Sequence, residues 1–166
     1  ISTAFILEPS CFGQNKGQAS VSVSGGNNIY AVNWTGMGTG FEQLNLSAGN
    51  YPITVTDQNN CTANGVVTIN QPDSIQVIVD QIINSYCVDQ SDGEIYISVI
   101  GGISPYNYSW INTGGTYSNT SDQDINNLLP GTYIITIIDQ NLCSNSDTIT
   151  VDAQNTIIAD AGIDSS

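Results

Sequence analysis

The chain is written twice. Cys11, Gly17, Gly25-Gly26 and Trp34 recur 76 residues later as Cys87, Gly93, Gly101-Gly102 and Trp110. Beyond the tryptophans the offset is 82, so that Gly49, Tyr51, Asp57-Gln58-Asn59 and Cys61 recur as Gly131, Tyr133, Asp139-Gln140-Asn141 and Cys143. The second copy therefore holds six extra residues, most simply in the loop around Asn112–Asp124. A fixed period is the mark of an array. It divides the 166 residues into two modules of about 75–80 residues each. It also points to a spacer or surface fibre before it points to a catalyst.

Within each copy the patterning has the period of strands. Ala19, Val21 and Val23 alternate with polar residues, as do Ile95, Ile97 and Val99, and each run stops at a Gly-Gly turn. Tyr30, Val32 and Trp34 share one face of the next segment, matched by Tyr106, Tyr108 and Trp110. Tyr51, Ile53 and Val55 match Tyr133, Ile135 and Ile137, and Pro52 suggests an edge position or a bulge in the first copy. Val66–Ile69 and Thr148–Val151 add a strand each, and Ile75–Val79 continues past Pro72. Six or seven short strands per copy with regular turns predict an all-β chain of two tandem immunoglobulin-like β-sandwich modules.

Modules this small bury a thin core and often need a staple. Four cysteines allow three pairings, and the symmetry of the duplicate favours Cys11–Cys61 and Cys87–Cys143, one disulfide per copy. Closing a loop of that length would contribute roughly 4 kcal/mol in the chain-entropy model. Such bonds imply an oxidising, extracellular location. Zinc is disfavoured, because the chain has no His and no Cys-x-x-Cys spacing.

Charge removes whole classes of partner. Net charge is −14, with Lys16 the one basic residue, so the counterion release that drives nucleic-acid binding is missing, as is attraction to anionic lipid. Only 10% of residues are charged and 40% are hydrophobic, which is a folded composition rather than a disordered acidic tail. The longest apolar stretches are short and interrupted, so no membrane insertion is expected. Absence of His and Arg also strips out the usual general base and any guanidinium clamp.

Each remaining candidate has a structural use that competes with a chemical one. Trp34 and Trp110 are candidates for a sugar-stacking platform, but they lie in phase with core residues and are expected as core aromatics. Tyr51 and Tyr133 follow Gly at a strand start, as in a tyrosine corner. Asp57 and Asp139 are expected to serve Asx-turns rather than catalysis. Asp89, Asp92 and Glu94 are the best calcium candidate, yet Gly13, Lys16 and Gln18 replace them in the first copy and the spacing is not that of an EF-hand. Asn33, Asn45, Asn60, Asn107 and Asn119 begin N-x-[ST] sequons, several of which are expected by chance.

The order Cys, Gly, alternating strand, Gly101-Gly102-Ile103-Ser104-Pro105-Tyr106-Asn107-Tyr108-Ser109-Trp110, Leu128-Leu129-Pro130-Gly131-Thr132-Tyr133 and Asp139-x-x-x-Cys143 resembles the SprB repeat of Bacteroidota surface adhesins. The first copy departs from it, with Ile29 for the Pro and Val32 for the second Tyr, while its Gln71-Pro72 fits the close of the repeat. The resemblance covers roughly residues 5–158 and implies very large adhesion or gliding-motility proteins exported by type IX secretion, in which the repeats form a stalk. Asp73-Ser74-Ile75 and Asp147-Thr148-Ile149 likewise resemble the Asp-Ser/Thr-apolar O-glycosylation motif of Bacteroidota, making Ser74 and Thr148 glycosylation candidates.

These readings predict residues 1–9 as the terminal strand of a preceding module or a linker, 10–80 as the first repeat, 81–158 as the second, and 159–166 as a linker to a further module. The expected function is a non-catalytic, cofactor-free stalk or spacer at the cell surface. Its partners would be neighbouring repeats of the same polypeptide or fibre, with surface polysaccharide as a second class. Two alternatives stand beside it: a carbohydrate-binding accessory module of a secreted enzyme, and a fibre subunit that assembles by strand addition.

Overall fold

The computed structural model describes residues 1–119 and 121–154. The predicted linker at 159–166 lies outside them. The chain divides into two compact units, with the boundary between Ser74 and Ile75.

The first unit has seven strands: β1 (Ser2–Leu7), β2 (Gly17–Ser22), β3 (Tyr30–Trp34), β4 (Gly38–Thr39), β5 (Glu42–Leu46), β6 (Gly49–Asp57) and β7 (Thr62–Ile69). They form one sheet in the order β1-β2-β5 and another in the order β4-β3-β6-β7, all pairs antiparallel. The second unit repeats this with β8 (Gln76–Ile83), β9 (Gly93–Ile100), β10 (Asn107–Asn112), β11 (Ser118–Asn119), β12 (Ile125–Leu128), β13 (Gly131–Ile138) and β14 (Ser144–Val151). Its sheets run β12-β9-β8 and β11-β10-β13-β14. Three strands facing four in this order is the immunoglobulin-like sandwich.

The alternation read from sequence is what fills each core. In the first unit Ala19 and Val21 of β2 meet Val32 and Trp34 of β3, Leu46 of β5, Ile53 and Val55 of β6, and Val67 and Ile69 of β7. The second core is larger, with Ile95, Ile97, Trp110, Leu128, Tyr133, Ile135, Ile137, Ile149 and Val151 among its members. Both tryptophans are fully buried. The indole N–H of Trp34 donates to Gly40 O at 2.8 Å, and that of Trp110 donates to Asp122 O at 3.1 Å. These acceptors already stand 82 residues apart, so the extra residues enter between Trp110 and Asp122. Asn112 organises that loop, its side-chain oxygen accepting from the N–H groups of Thr116 at 2.8 Å and Tyr117 at 3.1 Å.

Three expectations need correction. Residues 1–9 are not a strand of a preceding module: β1 pairs with β2, from Ser2 opposite Ser22 to Leu7 opposite Gln18. The repeat boundary at 80 cuts through β8, which pairs with β9 from Gln76 to Ile83 and so opens the second unit. A strand just before each Cys can complete the module on either side, and the periodicity of the sequence does not say which. Pro52, finally, sits in β6, which is interior to its sheet between β3 and β7, with no bulge. Its carbonyl accepts from Thr35 N–H at 3.0 Å, beyond the last β3–β6 pair at Trp34, so its missing N–H faces the place where that ladder has ended.

Candidate functional site: the two ends of each module

Each sandwich has a leading end, where the chain comes in, and a trailing end, where it leaves. The residues shared by the two copies gather at these ends.

At the leading end of the first unit an aspartate closes the β6–β7 hairpin. Asp57 Oδ1 accepts the N–H groups of Asn59 and Cys61, each at 2.9 Å, and Oδ2 accepts that of Asn27 at 3.1 Å. Asp139 repeats the arrangement in the second unit, with Asn141 at 2.8 Å, Cys143 at 2.9 Å and Ile103 at 3.0 Å. One carboxylate thereby fixes its own Asx-turn and the Gly-Gly turn that follows β2 or β9. Hydrogen bonds from backbone N–H groups, that of Asn27 foremost and then Cys61, hold the Asp57 carboxyl below its ordinary value of 3.8. The turn itself requires glycine. Gly26 and Gly102 have φ of 61° and 63°, and a Cβ on Gly102 would lie 2.6 Å from the Ile75 side chain. Tyr30 and Tyr106 donate their hydroxyls to Gly25 O and, at 2.6 Å, to Gly101 O. Sequence reasoning missed these two bonds, although the constant five-residue offset of Tyr from the first Gly was there to be read.

The trailing end holds the tyrosine corner. Tyr51 OH donates to Ser47 O and Tyr133 OH to Leu129 O, both at 2.7 Å, across the bend before β6 and β13. Burial pushes the Tyr133 phenol above its ordinary value. The loops after β1 and β8 lie at the same end. Gly13 N–H donates to Gln71 Oε1 at 2.8 Å. Ser85, fully buried, sets its hydroxyl 2.9 Å from Cys87 O, 2.7 Å from Gln90 O and 2.5 Å from Asp92 Oδ1. Nothing in the sequence marked Ser85, because the first copy has the buried Pro9 in its place.

The cysteines do not pair within a module. Cys61 and Cys87 carry free thiols, whereas Cys11 and Cys143 are disulfide-bonded. Geometry explains the correction. Cys11 stands at the trailing end, in the loop tied to Gln71, and Cys61 at the leading end beside Asp57. The seven residue steps of β7 from Thr62 to Ile69 span roughly 23 Å between these ends. Cys87 and Cys143 are parted in the same way along β14. A disulfide needs Cα atoms within about 7 Å.

The calcium candidate is not assembled either. Asp92 faces Ser85 and the Tyr86 N–H, while Glu94 accepts from the Tyr96 hydroxyl. Among the described residues no three His, Cys, Asp or Glu side chains gather to hold a metal. Of the glycosylation candidates, Thr148 is exposed on the edge strand β14 and Ser74 is half-buried in the connection before β8. Two sequon asparagines do structural work, since Asn45 and Asn60 adopt φ of 58° and 61°, where Asn is tolerated. Among the described residues no helix is long and apolar enough to cross a membrane.

Comparison with known proteins agrees with this picture. No curated protein matches the chain. Among solved structures, the three N-terminal domains of the Highly Immunogenic Outer Capsid protein of bacteriophage RB49 align over 92% of this chain and 59% of theirs, at 17% identity and a TM-score of 0.52. The chain thus spans about three fifths of that structure's length. The amphioxus IgVJ-C2 molecule aligns over 84% of this chain and 97% of its own, at 15% identity and a TM-score of 0.35. At 17% identity the likeness to the capsid protein shows the fold alone. The family model of the SprB repeat matches residues 3–39 and 80–115, each segment opening within or beside the first strand of a unit. Each of the two sandwiches thus carries a segment that matches the SprB repeat, with the duplicated Gly-Gly, Tyr and Trp in equivalent places in both.

Proposed function

We propose that the chain is a non-catalytic pair of structural repeats from a long extracellular adhesin or surface filament, serving as spacer in adhesion or gliding. One observation carries this reading: the tryptophans, tyrosines and aspartates common to both copies are used up in holding the sandwich. The tryptophans lie in the cores with their N–H groups bonded. The tyrosines brace turns, and the aspartates accept three backbone N–H groups each. An outward indole platform, which the carbohydrate-binding alternative needs, is not built from Trp34 or Trp110. Neighbouring repeats are the partners this reading assigns. Glycan on exposed Thr148, and on Ser74, would shield strand edges that tandem β modules otherwise offer to other chains.

The reading is tested on intact cells of the native source. Antibody raised against the chain should label the cell surface, and external protease should remove the label without lysis. Signal retained inside shaved cells would refute it.

A further inference from the structure

We propose that Cys61 and Cys87 are the two halves of a head-to-tail disulfide, the trailing-end thiol Cys87 of one copy of this chain bonding the leading-end thiol Cys61 of another. The inference rests on the array reading only in that an array supplies the neighbours.

Three observations support it. The ends of the modules come first. The chain enters each sandwich at the end that holds Cys61 or Cys143 and leaves at the end that holds Cys11 or Cys87. Copies that follow one another head to tail therefore present a Cys87-type position to a Cys61-type position. Second, the duplicate already uses both positions. Cys143 takes the place of Cys61, Cys11 takes the place of Cys87, and both are disulfide-bonded. Third, the surroundings are complementary. Cys87 stands between Tyr86 and Val88, 61% and 57% exposed, which make an apolar tip. Cys61 lines an open depression of about 210 Å³ with Val23, Tyr30, Val55 and Ala63. Burying such a tip in such a depression removes apolar surface from water on both sides and brings the two sulfurs to one place.

The chemistry balances with a small-molecule disulfide as oxidant. The Cys61 thiolate attacks it, releasing one small thiol and leaving a mixed disulfide. The Cys87 thiolate of the preceding copy then attacks the Cys61 sulfur, forming the protein S–S bond and releasing the second thiol. Two protein thiols lose two protons and two electrons in all, and one oxidant molecule becomes two thiols. The net charge of −14 makes copies repel, so the reaction should run faster at high ionic strength.

The test uses the full chain, its Cys61→Ser and Cys87→Ser variants, and oxidised glutathione. The unaltered chain should give a ladder of reducible oligomers whose peptide map contains Cys61 joined to Cys87. Each variant alone should stay monomeric, and an equimolar mixture of the two should form dimers and stop there. Dimerisation of either variant alone would mean a symmetric link and overturn the proposal. So would a mixture that stays monomeric, or a Cys61–Cys87 bond found within a monomer. Cys61→Ala and Cys87→Ala serve as a second pair should a serine variant misfold. A negative result removes this bond but leaves the spacer reading to the cell-surface experiment above.

Discussion

Asp139 and Asp57 do the same work at different depths. Asp139 is 1% exposed and accepts three backbone N–H groups in part-buried hydrogen bonds, all of which Asp139→Ala removes. Because water reaches these part-buried donors, the second unit should lose about 1–3 kcal/mol in all, measured as a lower denaturant midpoint with unchanged slope. Asp57 offers a pH test. Its folded pKa lies below the ordinary 3.8, so the folded state favours the ionised form. That stabilisation is complete above about pH 3.8 and is lost as pH falls through the lower folded value. Acid unfolding of the first unit should therefore steepen below that point, and Asp57→Asn should flatten it. An acid limb identical in the two proteins would show that the carboxylate contributes nothing there.

Among the elements, strands and turns were legible in the sequence and their allegiance was not. The apolar alternation of β2, β3 and β6 and its repeat in β9, β10 and β13 announced the core, and Gly-x-Tyr announced the corner. What a pattern of period two leaves open is which sheet a flanking strand joins, and that decided the fate of β1 and β8. The cysteine pairing failed for a related reason: recurrence shows that two residues belong to one module without showing that they share an end. A truncation makes the strand assignment testable. Residues 1–74 should fold alone, with the dispersed amide spectrum of a sandwich, whereas residues 10–80 lack β1, leave β2 unpaired on one side and should be largely unfolded. Equal folding of both would contradict the boundary at Ser74. The corner itself is open to a smaller test. Tyr133→Phe removes the hydroxyl bond to Leu129 O while keeping the ring in the core, and should cost about 1 kcal/mol.

At the scale of the molecule, composition and fold agree on a unit that repeats. One lysine among 166 residues leaves trypsin a single site. Fifteen acidic residues keep copies soluble and apart. Two equivalent sandwiches, each with its chain in at one end and out at the other, are units that can be added in series without altering the last. Such a design gains reach with every copy. The length of the native polypeptide therefore tests the account most directly. An antibody to this chain, used on a reducing, denaturing blot of the native source, should reveal a band many times heavier than the 17.6 kDa of these two modules. A band near 17.6 kDa, with nothing heavier, would contradict the account.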